Sequence, residues 1–390
     1  MALKSFLSSL LLAPLALAHP GHKEAVHAHR ALPLERRSLD HCSKEFNSAE
    51  FVQRTVEING AEIARLRRAL GYEVEEKPKI TPRDYLSVSR IDHKSNKTVT
   101  QGMDLSTLFS NYGACMLMPV VDEGPLYVKG EEIRKNITNG ERGIKMTLAI
   151  QVVDYRTCQV VPDAYVDIWS SNATGIYVGV QGYPGMGDPK DASILKGTTL
   201  RGVQPTDSHG VASFDTMFPG HYDGRATHIH AIVWLGATKH ANNTLTGGRA
   251  AHIGQIYFDQ GLITAAERNV PYNTNRMPIQ QNTRDFLFQA GANGDDPIVR
   301  YSFIGKDVSE GLFAWIRFGI NQQTSRPLNP AAYWTANGGV MNPTGPISKL
   351  PGSGGGGGGW PGFGGGWAKR FAEKLGRKAE TEAELQEDAQ

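Results

Sequence analysis

Cysteine, one-sided charge and long apolar runs are all scarce in this chain of 390 residues, and each scarcity removes a class of protein. Cysteine occurs only as Cys42, Cys115 and Cys158. That allows one disulfide with a thiol left over, and excludes a scaffold held by a dense disulfide framework. Basic and acidic residues nearly cancel, 41 against 39, for a formal net charge of +2. With no block of lysines and aromatics, nucleic acid is excluded as a partner on electrostatic grounds. Beyond the first residues no stretch reaches the roughly 18 apolar residues of a membrane span, so no membrane partner is expected. Hydrophobic residues still make up 40% and charged residues 21%, the balance of a soluble globular core.

The start of the chain reads as an address. Lys4 is basic, Phe6 to Leu17 is an apolar run, and Ala16-Leu17-Ala18 is a small-x-small cleavage site. Residues 1–18 are therefore expected to be a secretory signal, which predicts an extracellular protein. Residues 19–37, ending in Arg36-Arg37, form a candidate pro-segment. Four N-x-S/T sequons, at Asn96, Asn136, Asn172 and Asn242, are candidate glycosylation sites that agree with export. In an oxidising compartment the favoured cysteine pair is Cys115–Cys158, because both flank expected strands; three buried free thiols are the alternative.

Residues 38–110 read as a helical and irregular N-terminal region. Phe51, Val52, Val56, Ile63, Leu66 and Leu70 recur at helical spacing, which predicts a helix over 48–70, stopped by Gly71. From Ile144 the period changes to two: Ile144, Met146, Leu148, Ile150 and Val152 alternate with other residues. The same holds for Val166 and Ile168, for Val211, Ser213 and Asp215, and for the run Thr227 to Leu235. His252 to Phe258, Ile298 to Ile304 and Leu312 to Ile320 complete the strand-like runs. Many short strands separated by turn residues predict a mainly β fold, with a β-sandwich catalytic core over 111–344. Residues 345–390 form a tail, Gly-rich from Gly354 to Gly359 and then charged, and are expected to be disordered.

The candidate chemistry begins with His228-Ile229-His230 in an apolar strand. Residues i and i+2 of a strand share a face about 6.5–7 Å apart, so the two imidazoles can converge on one metal ion while Ile229, Ala231 and Val233 point away. Tyr222 lies six residues before His228 on a turn, and Tyr177 ends a glycine-bearing loop. Phenolate is a hard donor that suits ferric iron, whereas a zinc site would call on Cys, Asp or Glu, which are missing beside the histidines.

These segments together resemble the intradiol ring-cleavage dioxygenases. The resemblance rests on Val166-Asp167-Ile168-Trp169, Ala173-Thr174-Gly175-Ile176-Tyr177, Arg201-Gly202-Val203-Gln204 and Pro219-Gly220-His221-Tyr222-Asp223-Gly224-Arg225. It continues through His228-Ile229-His230 and Gly254-Gln255-Ile256-Tyr257-Phe258, and upstream through Glu123-Gly124-Pro125-Leu126-Tyr127-Val128. It covers about 115–260 firmly, and the signal and tail place it nearest the secreted, fungal-type branch. The resemblance implies one Fe(III) per chain, with Tyr177 and His228 equatorial and Tyr222 and His230 axial. It implies that Arg225 stabilises negative charge on the substrate, that Gln255 is a polar neighbour of the iron, and that Leu126 and Tyr127 line the ring pocket. The implied partners are a catechol-type substrate and O2, and the implied products are cis,cis-muconates. Where the family often carries a histidine after the strand tryptophan, this chain has Ser170-Ser171. Oligomeric state is left open. Two other readings stand beside this one: a non-catalytic secreted binding module for cell-wall glycans or phenolics, and a copper or zinc enzyme.

Overall fold

The computed structural model of the chain describes residues 39–71, 92–94, 124–181, 191–292 and 295–349. The signal-like residues, the candidate pro-segment, Asn96, Cys115 and the Gly-rich tract lie outside the described residues.

Two four-stranded sheets carry the fold. One is built from β2 (Lys145–Asp154), β5 (Val211–Met217), β8 (Arg300–Phe303) and β9 (Leu312–Ile320), in the order β5-β2-β9-β8. The other is built from β3 (Tyr165–Trp169), β4 (Arg201–Pro205), β6 (His228–Lys239) and β7 (Leu245–Tyr257), in the order β4-β3-β6-β7. Period-two alternation decides which side chains meet between them. Met146, Leu148, Ile150 and Val152 of β2 share one core with Val166 and Ile168 of β3 and with Ile229, Ala231 and Val233 of β6. Each such Leu, Ile or Val, once fully buried, contributes about 1.5–3 kcal/mol. The mainly β sandwich expected from the alternation is the observed architecture.

The alternate residues of each sheet face outward, and each outer face has its own cover. Over the first sheet lies α2 (Ala49–Leu70), which follows a single turn, α1 (Ser43–Phe46). Ser48 caps α2 by accepting from the Phe51 amide, and Gly71 ends it in the left-handed conformation, φ 76°. The expected stop is therefore the observed one. The buried face differs in part: Ile63 packs with Ala149, Phe313 and Trp315, flanked by buried Thr55, Asn59 and Arg67, while Leu70 is 45% exposed. Arg67 belongs there because its Nη1 donates to the Ile304 carbonyl. Over the second sheet lies a small third sheet of β1 (Val128–Lys129), β10 (Ala332–Thr335) and β11 (Gly338–Met341), in the order β1-β10-β11.

The strands depart from the alternation in part. β7 begins at Leu245, seven residues before the expected His252, because Gly247 and Gly248 at φ 65° and 71° carry no apolar signal yet continue the pairing with β6. β4, β10 and β11, of four or five residues each, are too short to show a period.

The cysteine pairing is corrected. Cys42 is bonded to Cys158, with Cα atoms 5.4 Å apart across a separation of 116 residues. Cys158 does follow a strand, but its turn faces the N-terminal segment, where Leu39, Cys42 and Phe46 pack against Val153. A second tie to the N-terminal part is ionic. Residues 92–94 meet β8 at Lys94–Tyr301, and His93 is buried between two carboxylates. Its Nδ1 lies 2.5 Å from Asp259 and its Nε2 3.0 Å from Asp296.

Candidate metal centre

The outward residues of β6 that escape the core are His228, His230 and Ile232. Register places their neighbours: His230 stands between Trp169 of β3 and Gln255 of β7, and His228 is opposite Tyr257. The His230 ring stacks on Trp169 at 4.8 Å and 6°. His228 Nδ1 lies 2.6 Å from the Ala226 carbonyl. A carbonyl only accepts, so Nδ1 carries a proton and Nε2 is the ring nitrogen that faces the pocket. That Nε2 is 3.0 Å from Nε2 of His230 and 3.3 Å from the Tyr222 hydroxyl. Burial, then the nearby His228, Arg225 and Arg201, pushes the His230 imidazole well below its usual range, so it is neutral.

Tyr177 and Tyr222 arrive on two loops pressed backbone to backbone. A Cβ on Gly220 would lie 2.5 Å from the carbonyl oxygens of Asn172 and Ala173. Gly175, at φ 84°, sits against the His221 carbonyl, with which a Cβ would collide. Only glycine permits this approach, and it sets the two phenol rings edge to face at 5.7 Å. Ser171, at the place where a histidine is common in the resembled family, donates its hydroxyl to the Gly220 carbonyl at 2.7 Å and so ties the same two loops. Arg201 of β4 holds Tyr177 from beneath: its guanidinium lies 5.9 Å from the ring, and it donates to the carbonyls of Val178 and Leu126.

Beside the histidines, Arg225 donates through Nε to Asp285 at 2.8 Å and through Nη2 to Gln255 at 2.5 Å and Tyr257 at 3.0 Å. Burial alone would lower the guanidinium, but the Asp285 carboxylate outweighs it and the group is a permanent cation. Burial and the same carboxylate push the Tyr257 phenol well up, keeping it a proton donor, here to Gln255 at 2.7 Å. Arg225 Nη1 and Gln255 Nε2 remain buried without a hydrogen-bond partner, two donors waiting for an acceptor. Leu126 and Tyr127, each 1% exposed, pack in one cluster with Trp169, Tyr177 and Tyr222.

Thus the structure brings together Tyr177, Tyr222, His228, His230, Arg225, Gln255, Leu126 and Tyr127. Trp169, Arg201, Tyr257 and Asp285 complete the surroundings; all but Asp285 stand in segments that carry the resemblance, yet none was singled out for a role. Of the sequons, Asn136 and Asn242 are exposed. Asn172 is half-buried, its side-chain oxygen accepting from Thr174 and Ile176 within the Tyr177 loop. His41, Cys42 and Cys158 also come within reach of one another, but the disulfide removes the two sulfurs as ligands.

The donor set fits a hard cation: two imidazoles with converging Nε2 atoms and two phenols, in a pocket where the described carboxylate nearest Arg225 is already spent on it. No family model and no curated protein matches the chain. Among solved structures it is similar to the intradiol ring-cleavage dioxygenase from Tetranychus urticae, at 32% identity over 55% of this chain and 97% of that one, with a TM-score of 0.44. It is also similar to a second dioxygenase crystal structure at 30% identity, over 57% of this chain and 100% of that one, with a TM-score of 0.44.

Proposed function

The chain belongs to the intradiol ring-cleavage dioxygenases, and from that membership we propose that it is a secreted Fe(III) enzyme that opens catechol-type rings with O2 to cis,cis-muconate-type products. The observation that carries the metal reading is the meeting of His228 Nε2, His230 Nε2 and the Tyr222 hydroxyl within 3.3 Å, in a pocket that also holds Tyr177. These four side chains would hold the ion. When bound, ferric iron polarises a catechol as a Lewis acid and makes its ring reactive toward O2.

The rest of the reaction falls to the chain's own groups. Tyr222, on a turn rather than a strand, would be the group placed to take a substrate proton, at its phenolate oxygen. Arg225 Nη1 and Gln255 Nε2 supply the two donors toward negative charge developing on the ring and its oxygens. Leu126 and Tyr127 form an apolar wall that keeps water away from that charge, which strengthens it. Trp169 holds the His230 plane. Export is supported by residues 1–18, by the Cys42–Cys158 disulfide and by the exposed sequons Asn136 and Asn242.

The test is direct. Tyrosinate on ferric iron absorbs visible light, so iron-loaded protein should be coloured and should consume O2 with catechol while a muconate absorbance grows. Tyr222→Phe should change the colour and lose most of the turnover. Protein that stays colourless with ferric ion and inert to a panel of catechols would leave a secreted binding module as the better reading.

A further inference from the structure

Asp285 is a buried carboxylate, 1% exposed, that does not itself take part in the reaction proposed above. It lies beyond α3 (Gln260–Ala266) and just before α4 (Phe286–Ala292), 55 residues beyond His230. Its two oxygens accept four hydrogen bonds. Oδ1 accepts from the amides of Leu287 at 2.8 Å and Phe288 at 3.0 Å, both in the first turn of α4. Oδ2 accepts from Arg225 Nε at 2.8 Å and from the Ala226 amide at 2.7 Å.

That second pair has a consequence at each end. Fixing Arg225 through Nε leaves Nη2 for Gln255 and Tyr257 and leaves Nη1 for substrate. The Ala226 amide that Asp285 holds and the Ala226 carbonyl that receives the Nδ1 proton of His228 lie in adjacent peptide planes joined at the Ala226 Cα, so holding the first restrains the second and the direction in which His228 Nε2 points. One oxygen atom thus holds the cationic side of the pocket directly and, through the Ala226 backbone, restrains one nitrogen of the candidate metal centre.

We propose that Asp285 is a positioning residue that locks Arg225 and His228 in a single mutual geometry, with α4 as its anchor. The roles it positions rest on the function proposed above; the geometric coupling does not. A carboxylate is required rather than a neutral acceptor, because Oδ2 compensates a fully buried guanidinium while holding a second donor. Outer partners of metal-binding histidines typically change metal affinity about 10–100-fold when removed.

Four proteins test this: the full-length wild type, Asp285→Asn, Asp285→Glu, and Ile63→Ala as a remote destabilised control under the first sheet. In metal-free protein, the His228 Nδ1–H should give a slowly exchanging downfield proton resonance in the wild type and in Ile63→Ala. Asp285→Asn should lose it. On ferric titration, Asp285→Asn should bind iron about 10–100-fold more weakly, with a displaced visible band, and kcat with catechol should fall about 100-fold, the scale of a misplaced group. Ile63→Ala should lower the melting temperature and change none of these per folded molecule. If Asp285→Asn does not fold, Asp285→Glu, a methylene too long to serve all four donors, carries the test on the same resonance and affinity. Wild-type values of both in a folded Asp285 variant would overturn the proposal. A wild type whose resonance depends on Asp285, yet which shows no ferric band and no catechol turnover, would overturn the function and leave the coupling standing.

Discussion

His228 and His230 are separated by Ile229, and that one residue divides the work of β6: it enters the core between the sheets while its neighbours face the pocket. Strand parity makes this legible from sequence. The tyrosines needed family resemblance as well, because parity says nothing about loops. What brings them in is Gly175 and Gly220, so Gly220→Ala should cost about 1–3 kcal/mol as overpacking and, more tellingly, should disturb iron binding. The check is a ferric titration of folded variant beside thermal melting; an unchanged visible band would mean the loops tolerate separation. Trp169, Tyr257 and Asp285 had no signal of their own. The first two are defined by cross-strand register, and Asp285 by a loop returning from 60 residues beyond Arg225.

Among the elements, the long apolar-periodic ones were the readable ones. α2 came through to its cap and stop because Ser48 and Gly71 are local signals. β2, β6 and β9 came through because buried alternation spans enough residues to be seen. β10 and β11 were not seen, since four residues each, three of the eight being Gly or Ala, leave no period to detect. Ile63 is fully buried where α2 meets the first sheet, so Ile63→Ala should cost about 2–5 kcal/mol, measured by denaturant titration. A loss well under 1 kcal/mol would show that α2 lies on the sheet without holding it.

For the molecule as a whole, two long-range ties bind the N-terminal part to the sandwich. The Cys42–Cys158 bond closes a separation of 116 residues, so Cys42→Ser should cost about 4–5 kcal/mol on loop entropy. Equal melting temperatures with and without reductant would refute that. Strand-flanking position alone cannot choose between cysteines, which is why Cys115 looked the better partner; the choice was made by where the N-terminal turn packs. The second tie is His93. Burial opposes its charge, but Asp296 and Asp259 prevail and raise it from 6.5 to about 9. A raised histidine stabilises the fold fully below its unfolded value, and that contribution is lost as pH climbs through the folded one. Stability should therefore fall between pH 6.5 and about 9, by an amount on the order of 3 kcal/mol at most. His93→Gln should flatten that slope in melts run across the window.

The candidate metal centre sits on the outside of the second sheet, beneath a cover, and not in the space between the sheets. Its floor is a ladder of paired strands, while its roof is Leu126 to Val128 and the short sheet formed with β10 and β11. Floor and roof can therefore be altered separately. A library confined to the roof should shift which phenols are accepted while iron retention stays constant, making this a scaffold whose selectivity can be evolved without rebuilding its reactive centre.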